Sequence, residues 1–232
     1  MPTEVIKVID TAGGGDYTSI KAAIDGEARN LVAADQIAVF EFTGGRDYAG
    51  DLYIRSPWVT DQNHYIHFRP HTASQRATSK FSTSKYYLER RDFYYGFQIE
   101  RNNVIWEGMQ MIGIDMFFNF YFNAASQTNG FWKIIGCFIN GGTPHHMYQI
   151  GSGNKVYLIN NIIISTKFSS YSLSYSSAEI YAYNNTYKNN NELYLGTSVR
   201  FKNNIVSAGS VGIGGTPHAD SDYNVSNISG NP

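Results

Sequence analysis

The sequence predicts an all-β chain folded as a right-handed parallel β-helix, a stack of short strands closed at its N-terminal end by a short capping helix. Three observations predict it. A degenerate apolar-Asn-Asn-apolar pattern recurs along the chain, the spacing between copies fits one coil of three short strands, and an amphipathic stretch near the start is the one clear helix signal.

The repeats appear as Tyr157-Leu158-Ile159-Asn160-Asn161-Ile162-Ile163, Tyr181-Ala182-Tyr183-Asn184-Asn185-Thr186-Tyr187 and Arg200-Phe201-Lys202-Asn203-Asn204-Ile205-Val206. Two earlier segments fit with Gly in place of Asn, around Gly108 and around Gly136-Cys137. Anchors at Gly108, Cys137, Asn161, Asn185 and Asn204 are 29, 24, 24 and 19 residues apart. On this alignment Glu107 stacks with Gly136, Asn160, Asn184 and Asn203. Each coil would advance by about 4.8 Å and lay its strands over those of the coil before. Asn suits such turns because it tolerates left-handed backbone and its amide both donates and accepts. A structural ladder of Asn160, Asn161, Asn184, Asn185, Asn203 and Asn204 is therefore expected.

The N-terminal elements follow in order. Val5–Ile9 reads as a first strand and Gly13–Tyr17 as a turn. A helix follows, with Ser or Thr at its N-cap and Ile20, Ala23, Ile24 and Leu31 on one face. It is read as the plug over the first coil, since a bare stack end exposes apolar core and unpaired strand edges. Strands are expected at Gln36–Phe42, Asp51–Ile54 and Tyr65–Arg69, with a long turn or excursion over 71–95. The result is one domain over 1–232, with strand and cap in 1–34 and coils in 35–232.

Composition narrows the function. A formal net charge of -1 supplies no basic field for a phosphate backbone, so nucleic acid is not expected as a partner. Apolar runs are too short to span a bilayer, and no basic-then-apolar signal opens the chain, which implies synthesis in the cytoplasm. The single cysteine, Cys137, sits in an apolar strand and reads as a small buried hydrophobe.

A family resemblance rests on Asp10–Ile24, whose Gly15-Asp16-Tyr17-Thr18-Ser19-Ile20 resembles the opening of pectate-lyase-like β-helix proteins. The Asn-Asn coils are similar to those of right-handed β-helix repeat proteins. Leu31–Val39 and Thr60–Ile66 look like uncharacterised members encoded in phage genomes. The resemblance implies the fold and leaves the function open between polysaccharide-cleaving enzymes and non-catalytic parts of phage particles.

Enzymes of that superfamily need clustered acids on the coil face. Between Asp115 and Glu179 there is neither Asp nor Glu, and no family catalytic residue finds a matching position. An earlier group, Asp35, Glu41, Asp47 and Asp51, reads either as a substrate or cation site or as solvated turn charges, the second being the better supported. His145-His146 and the recurrence of Gly141–His145 as Gly214–His218 read as surface turns, so neither metal nor cofactor is expected. Tyrosines crowd the later coils, and Tyr171, Tyr175, Tyr187 and Tyr194 are candidate contacts for a glycan or protein partner. The leading expectation is a non-enzymatic structural or surface-binding protein of a phage virion, whose partners are other virion proteins or cell-surface glycans, with room for a homo-oligomer. A polysaccharide lyase or hydrolase, secreted, is the alternative, and a non-catalytic glycan-binding adhesin is a third.

Overall fold

The computed structural model describes residues 1–48, 50, 52–90, 97–113, 120–122, 129–141, 153–165, 171–172, 178–189, 193–208 and 213–226. These residues form an all-β, parallel architecture with two short α-helices and one turn of 3-10 helix, Ala73–Gln75.

The strands fall into two eight-stranded and two three-stranded sheets. The first long sheet holds Thr3–Asp10, Gln36–Thr43, Ile66–Pro70, Val104–Glu107, Phe131–Ile135, Lys155–Ile159, Glu179–Tyr183 and Val199–Lys202, in that spatial order. The second holds Arg46–Tyr48, Tyr87–Arg90, Gln110–Gly113, Phe138–Gly141, Ile162–Ser165, Thr186–Asn189, Ile205–Ala208 and Val225–Ser226. Leu52–Ile54, Phe97–Ile99 and Phe120–Phe122 make one short sheet, and Tyr171–Ser172, Leu193–Leu195 and Ile213–Gly215 the other. Within every sheet spatial order follows chain order, so the chain leaves a sheet after each strand and returns to it one level further along.

Period-two alternation explains which side of each strand is buried. In Lys155–Ile159, Val156 and Leu158 are buried while Tyr157 and Ile159 are partly exposed; Glu179–Tyr183 repeats this with Ile180 and Ala182. In-register pairing stacks like on like, so Phe40, Phe68 and Trp106 occupy successive levels of one interior column. Their rings stack at 5.1 Å and 4.1 Å between centroids. Burying an aromatic or large aliphatic side chain contributes about 2 kcal/mol, and that column continues through Ile134, Leu158, Ala182 and Phe201.

Some expected elements differ in detail. The anticipated single N-terminal helix is two, α1 (Ile20–Gly26) and α2 (Leu31–Ala34). The Ser19 hydroxyl caps α1 by accepting from the Ala22 amide, and the Asn30 side chain caps α2 by accepting from Ala33. Gly26 closes α1 where a Cβ would stand 2.9 Å from the Tyr17 hydroxyl, so the chain turns there and restarts. Ile20, Ala23, Ile24 and Leu31 are nonetheless all buried in the core. The stretch 71–95 is not wholly irregular: Tyr87–Arg90 is a strand of the second long sheet, and Tyr86 before it is fully buried. Arg46–Tyr48, not anticipated, is the first strand of that same sheet.

Candidate ligand-binding face

From Val104–Glu107 onward, each passage from the first to the second long sheet is a two-residue turn whose positions do different work, and Tyr223-Asn224 repeats the turn after the bridged Asp222; the earlier passage from Pro70 to Tyr87 is longer. The first residue has a left-handed backbone: Gly108 at φ +62°, Gly136 at +61°, Asn160 at +56°, Asn184 at +57°, Asn203 at +55° and Tyr223 at +55°. The second is buried. Asn161, Asn185, Asn204 and Asn224 form a column in which each Oδ1 accepts from the backbone amide of the residue one level before it. Each Nδ2 donates to a backbone carbonyl, those of Ile134, Leu158, Ala182 and Phe201. Neighbouring amides also bond directly at 3.0–3.1 Å. Asn160, Asn184 and Asn203 stand exposed at the turn and contribute conformation, not rungs. Losing one rung would leave buried donors and acceptors unmatched at roughly 1–3 kcal/mol each.

This geometry corrects the register read from sequence. Glu107 is level with Ile135, so Gly108 is the counterpart of Gly136, and Met109 that of Cys137. Glu107 therefore lies in the outward column of Ile135, Ile159, Tyr183 and Lys202, not in the Gly136 and Asn column. It accepts from Arg76 at 2.5 Å and contacts the His67 imidazole at 3.0 Å.

The early acids have separate partners. Asp35 sits exposed in left-handed backbone at the end of α2 and contacts His64, which also meets Asp61. Glu41 accepts from Arg69 and contacts His71. Asp47 is buried at 2% exposure, and its Oδ2 accepts from the Ile20 amide and from the Tyr86 hydroxyl, both at 2.6 Å. Burial pushes the Asp47 carboxyl up, against the pull of those two hydrogen bonds. Asp51 lies outside the described residues. No group of three or more His, Cys, Asp or Glu side chains able to hold a metal ion occurs among the described residues. His145 and His146 fall outside them.

Of the tyrosines expected to face a partner, Tyr187 is placed otherwise. Tyr187 is a core residue at 2% exposure, its ring 5.5 Å from that of Phe201; its neighbours Thr186 and Lys188 take the outward side. Tyr171 and Tyr194 belong to paired strands of one short sheet, and Tyr175 lies outside the described residues. Among the described residues, the first long sheet carries outward aromatics. Tyr157 and Tyr181 are register partners with rings stacked at 4.9 Å, and Tyr183 meets Tyr181 edge-on. The Lys133 ammonium stands 4.5 Å from the Phe131 ring and 5.7 Å from that of Tyr157, while the Arg200 guanidinium lies 5.0 Å over Tyr181. This column thus runs cation, ring, ring, cation. With both ring faces occupied, the rings turn edges outward. The Tyr181 hydroxyl donates to Glu179, which pushes its ionisation up to about 12.

Beside the column is a cavity of about 410 Å³, lined by Gln62, Asn129, Phe131, Lys133, Lys155 and Tyr157, with Gly130 and Gly153 opening its floor. A Cβ on Gly130 would stand 2.3 Å from that of Asn102. The bare backbone there lets Asn102 reach past it and donate to Asn154 at 3.0 Å, both amides buried. The Gln62 side chain donates to the Asn129 carbonyl at 2.7 Å and closes one wall. Sequence reading missed this site because its residues come from three segments, around Gln62, Asn129–Lys133 and Gly153–Tyr157, brought level only by the strand register. The alternation Phe131-Trp132-Lys133 and Lys155-Val156-Tyr157, repeated at one face, is the signal that points to it.

No helix is long and apolar enough to cross a membrane among the described residues. No family model, curated protein or solved structure matches the chain.

Proposed function

We propose that this chain is a right-handed parallel β-helix of the pectate-lyase-like type, acting as a non-enzymatic rod that binds a surface glycan through the outer face of its first long sheet. Support for the fold reading comes from strand order. A chain that returns to the same parallel sheet one level further on, through a second and then a short sheet, winds as a helix of strands, and crossovers between parallel strands are right-handed in almost every case. The sequence resemblance supports the outside of a phage particle as the setting, which mass spectrometry of purified particles tests.

One observation carries the functional reading: the cavity of about 410 Å³ on the outward face, walled by Gln62, Asn129, Lys133, Lys155 and Tyr157. Its size fits one or two sugar units, within the range of small-molecule sites. Its walls offer amide, ammonium and phenol groups, the set that hydrogen-bonds hydroxyl-rich ligands. Binding is favoured over cleavage because Glu41, Asp47 and Glu107 are already held by Arg69 and His71, by Ile20 and Tyr86, and by Arg76 and His67. Incubation with a panel of neutral and acidic bacterial surface polysaccharides, read by affinity electrophoresis and by product mass, tests it. Retardation without chain shortening is the expected result. Shortened products would make the protein an enzyme, and no retardation by any polymer would end the glycan reading.

A further inference from the structure

The outer face of the first long sheet divides by charge. At its N-terminal side the described cations are matched. Arg29 pairs with Glu27, Arg69 with Glu4 and Glu41, and Arg76 with Glu107, at 2.5–3.3 Å. Further along, Arg200 is held by Glu179 and Asp220. Lys133 and Lys155 differ. Among the described residues neither has a carboxylate at salt-bridge distance. The acid beside Lys155 in register, Glu179, accepts from the Tyr181 hydroxyl and pairs with Arg200; it attracts Lys155 electrostatically but makes no ion pair with it. Both lysines line the same cavity, on adjacent strands, with no acidic residue among its walls.

We infer that this cavity takes a sugar unit bearing an anionic oxygen substituent, a sulfate ester or a carboxylate, held between the Lys133 and Lys155 ammonium groups. The inference deepens the glycan reading above and rests on it. Two ammonium groups lining one cavity set up a positive potential that an anion relieves without breaking an ion pair. The Phe131 and Tyr157 rings fix Lys133 from the side, so one of the two charges is already positioned. The Gln62 and Asn129 amides remain to meet neutral hydroxyls of the same sugar. Because lysine offers a point charge rather than the planar fork of arginine, the site reads charge more than anion shape. Sulfate and carboxylate are therefore both expected to bind.

Three forms of one polymer, dextran, dextran sulfate and carboxymethyl dextran, separate charge from sugar. Binding is measured by titration calorimetry at low salt and at 0.5 M salt, an ionic strength at which screening lengths fall to roughly 4 Å. The expected result is at least tenfold tighter binding of both charged forms than of dextran, with the advantage shrinking in salt. Lys155→Gln should reduce that advantage at least threefold, and Lys133→Gln with Lys155→Gln should remove it. Lys188→Gln, on the exposed side of the second sheet, should leave it unchanged. Lys155 is exposed, so its variant keeps the test valid if the Lys133 variant unfolds. Equal loss in the Lys188 variant, or charged binding that ignores Lys155, would overturn the assignment of the site. Retention of neutral panel polysaccharides with no preference for charge would overturn this inference and leave the glycan reading standing. Failure of every polymer in both experiments would overturn both.

Discussion

At the scale of single residues, the two-residue turn separates two demands that an Asn-Asn pair hides. The first position asks only for positive φ, and the second asks for a buried amide. Tyr223-Asn224 shows the separation, because Asn224 completes the column while Tyr223 takes the left-handed position at φ +55°. A left-handed backbone costs a bulky L-residue roughly 1–2 kcal/mol, and Asn less. Tyr223 is 77% exposed and buries little to offset that cost. Tyr223→Asn is therefore expected to raise stability by about 1 kcal/mol, measured by chemical denaturation. A loss would mean that the ring makes a stabilising contact at this end. The same separation explains what was legible in the sequence. Asn161, Asn185 and Asn204 were readable because both positions of their turns chose Asn. Asn224 was not, because a lone Asn after Tyr carries no pattern. The crowding of tyrosines points Tyr187 to a partner, although polar Thr186 and Lys188 on either side mark its own side of the strand as the apolar one.

At the scale of elements, Asp47 ties α1 to the second long sheet. Its strand partner is Leu88, and its carboxylate receives both the first amide of α1 and the Tyr86 hydroxyl. Sequence alone placed it in an acidic group because its partners lie 27 residues before and 39 after it. No local window contains them. Burial opposes the charge while the two donors favour it, and the net effect is a raised pKa. Removing the acceptor and removing the charge should therefore differ. Asp47→Ala strands two buried donors and is expected to cost about 2–6 kcal/mol, at roughly 1–3 for each unmet group. Asp47→Asn keeps an acceptor oxygen, sheds the desolvation of the charge, and is expected to be neutral or stabilising at pH 7. Equal destabilisation by both variants, in thermal or denaturant unfolding, would show that the ionised form is required there.

At the scale of the whole molecule, these pairs set how stability follows pH. Burial pulls the Glu27, Glu41 and Glu107 carboxyls up. The hydrogen bonds from Tyr17 and Arg29, from His71 and Arg69, and from Arg76 and His67 pull further, so all three end below the usual carboxylate range. A depressed acid contributes stability that is present above its unfolded pKa, about 4.3 for Glu, and is lost as pH falls through the folded value. Asp47 has the opposite sign: its raised pKa favours folding at low pH, with the advantage lost as pH rises through the folded value. The two histidines oppose each other near their ordinary value. His64, raised by Asp35 and Asp61, contributes below about 6.5 and loses that contribution as pH rises through its folded pKa. His67, lowered by burial, contributes above about 6.5 and loses it as pH falls through its folded pKa. Stability should therefore vary little around neutrality and fall below about pH 4, where the three glutamates, joined by Asp16, Asp61 and Glu179, outweigh Asp47. Partly exposed pairs contribute roughly 0.2–1 kcal/mol each, so the drop between pH 7 and pH 3 is about 1–2 kcal/mol from the three glutamates. Urea unfolding at both pH values measures it, and Glu41→Gln with Glu107→Gln should flatten the fall. Stability that held or rose at pH 3 would mean that Asp47 dominates, and would transfer control of acid stability from the outer face of the first sheet to the buried contact beneath α1.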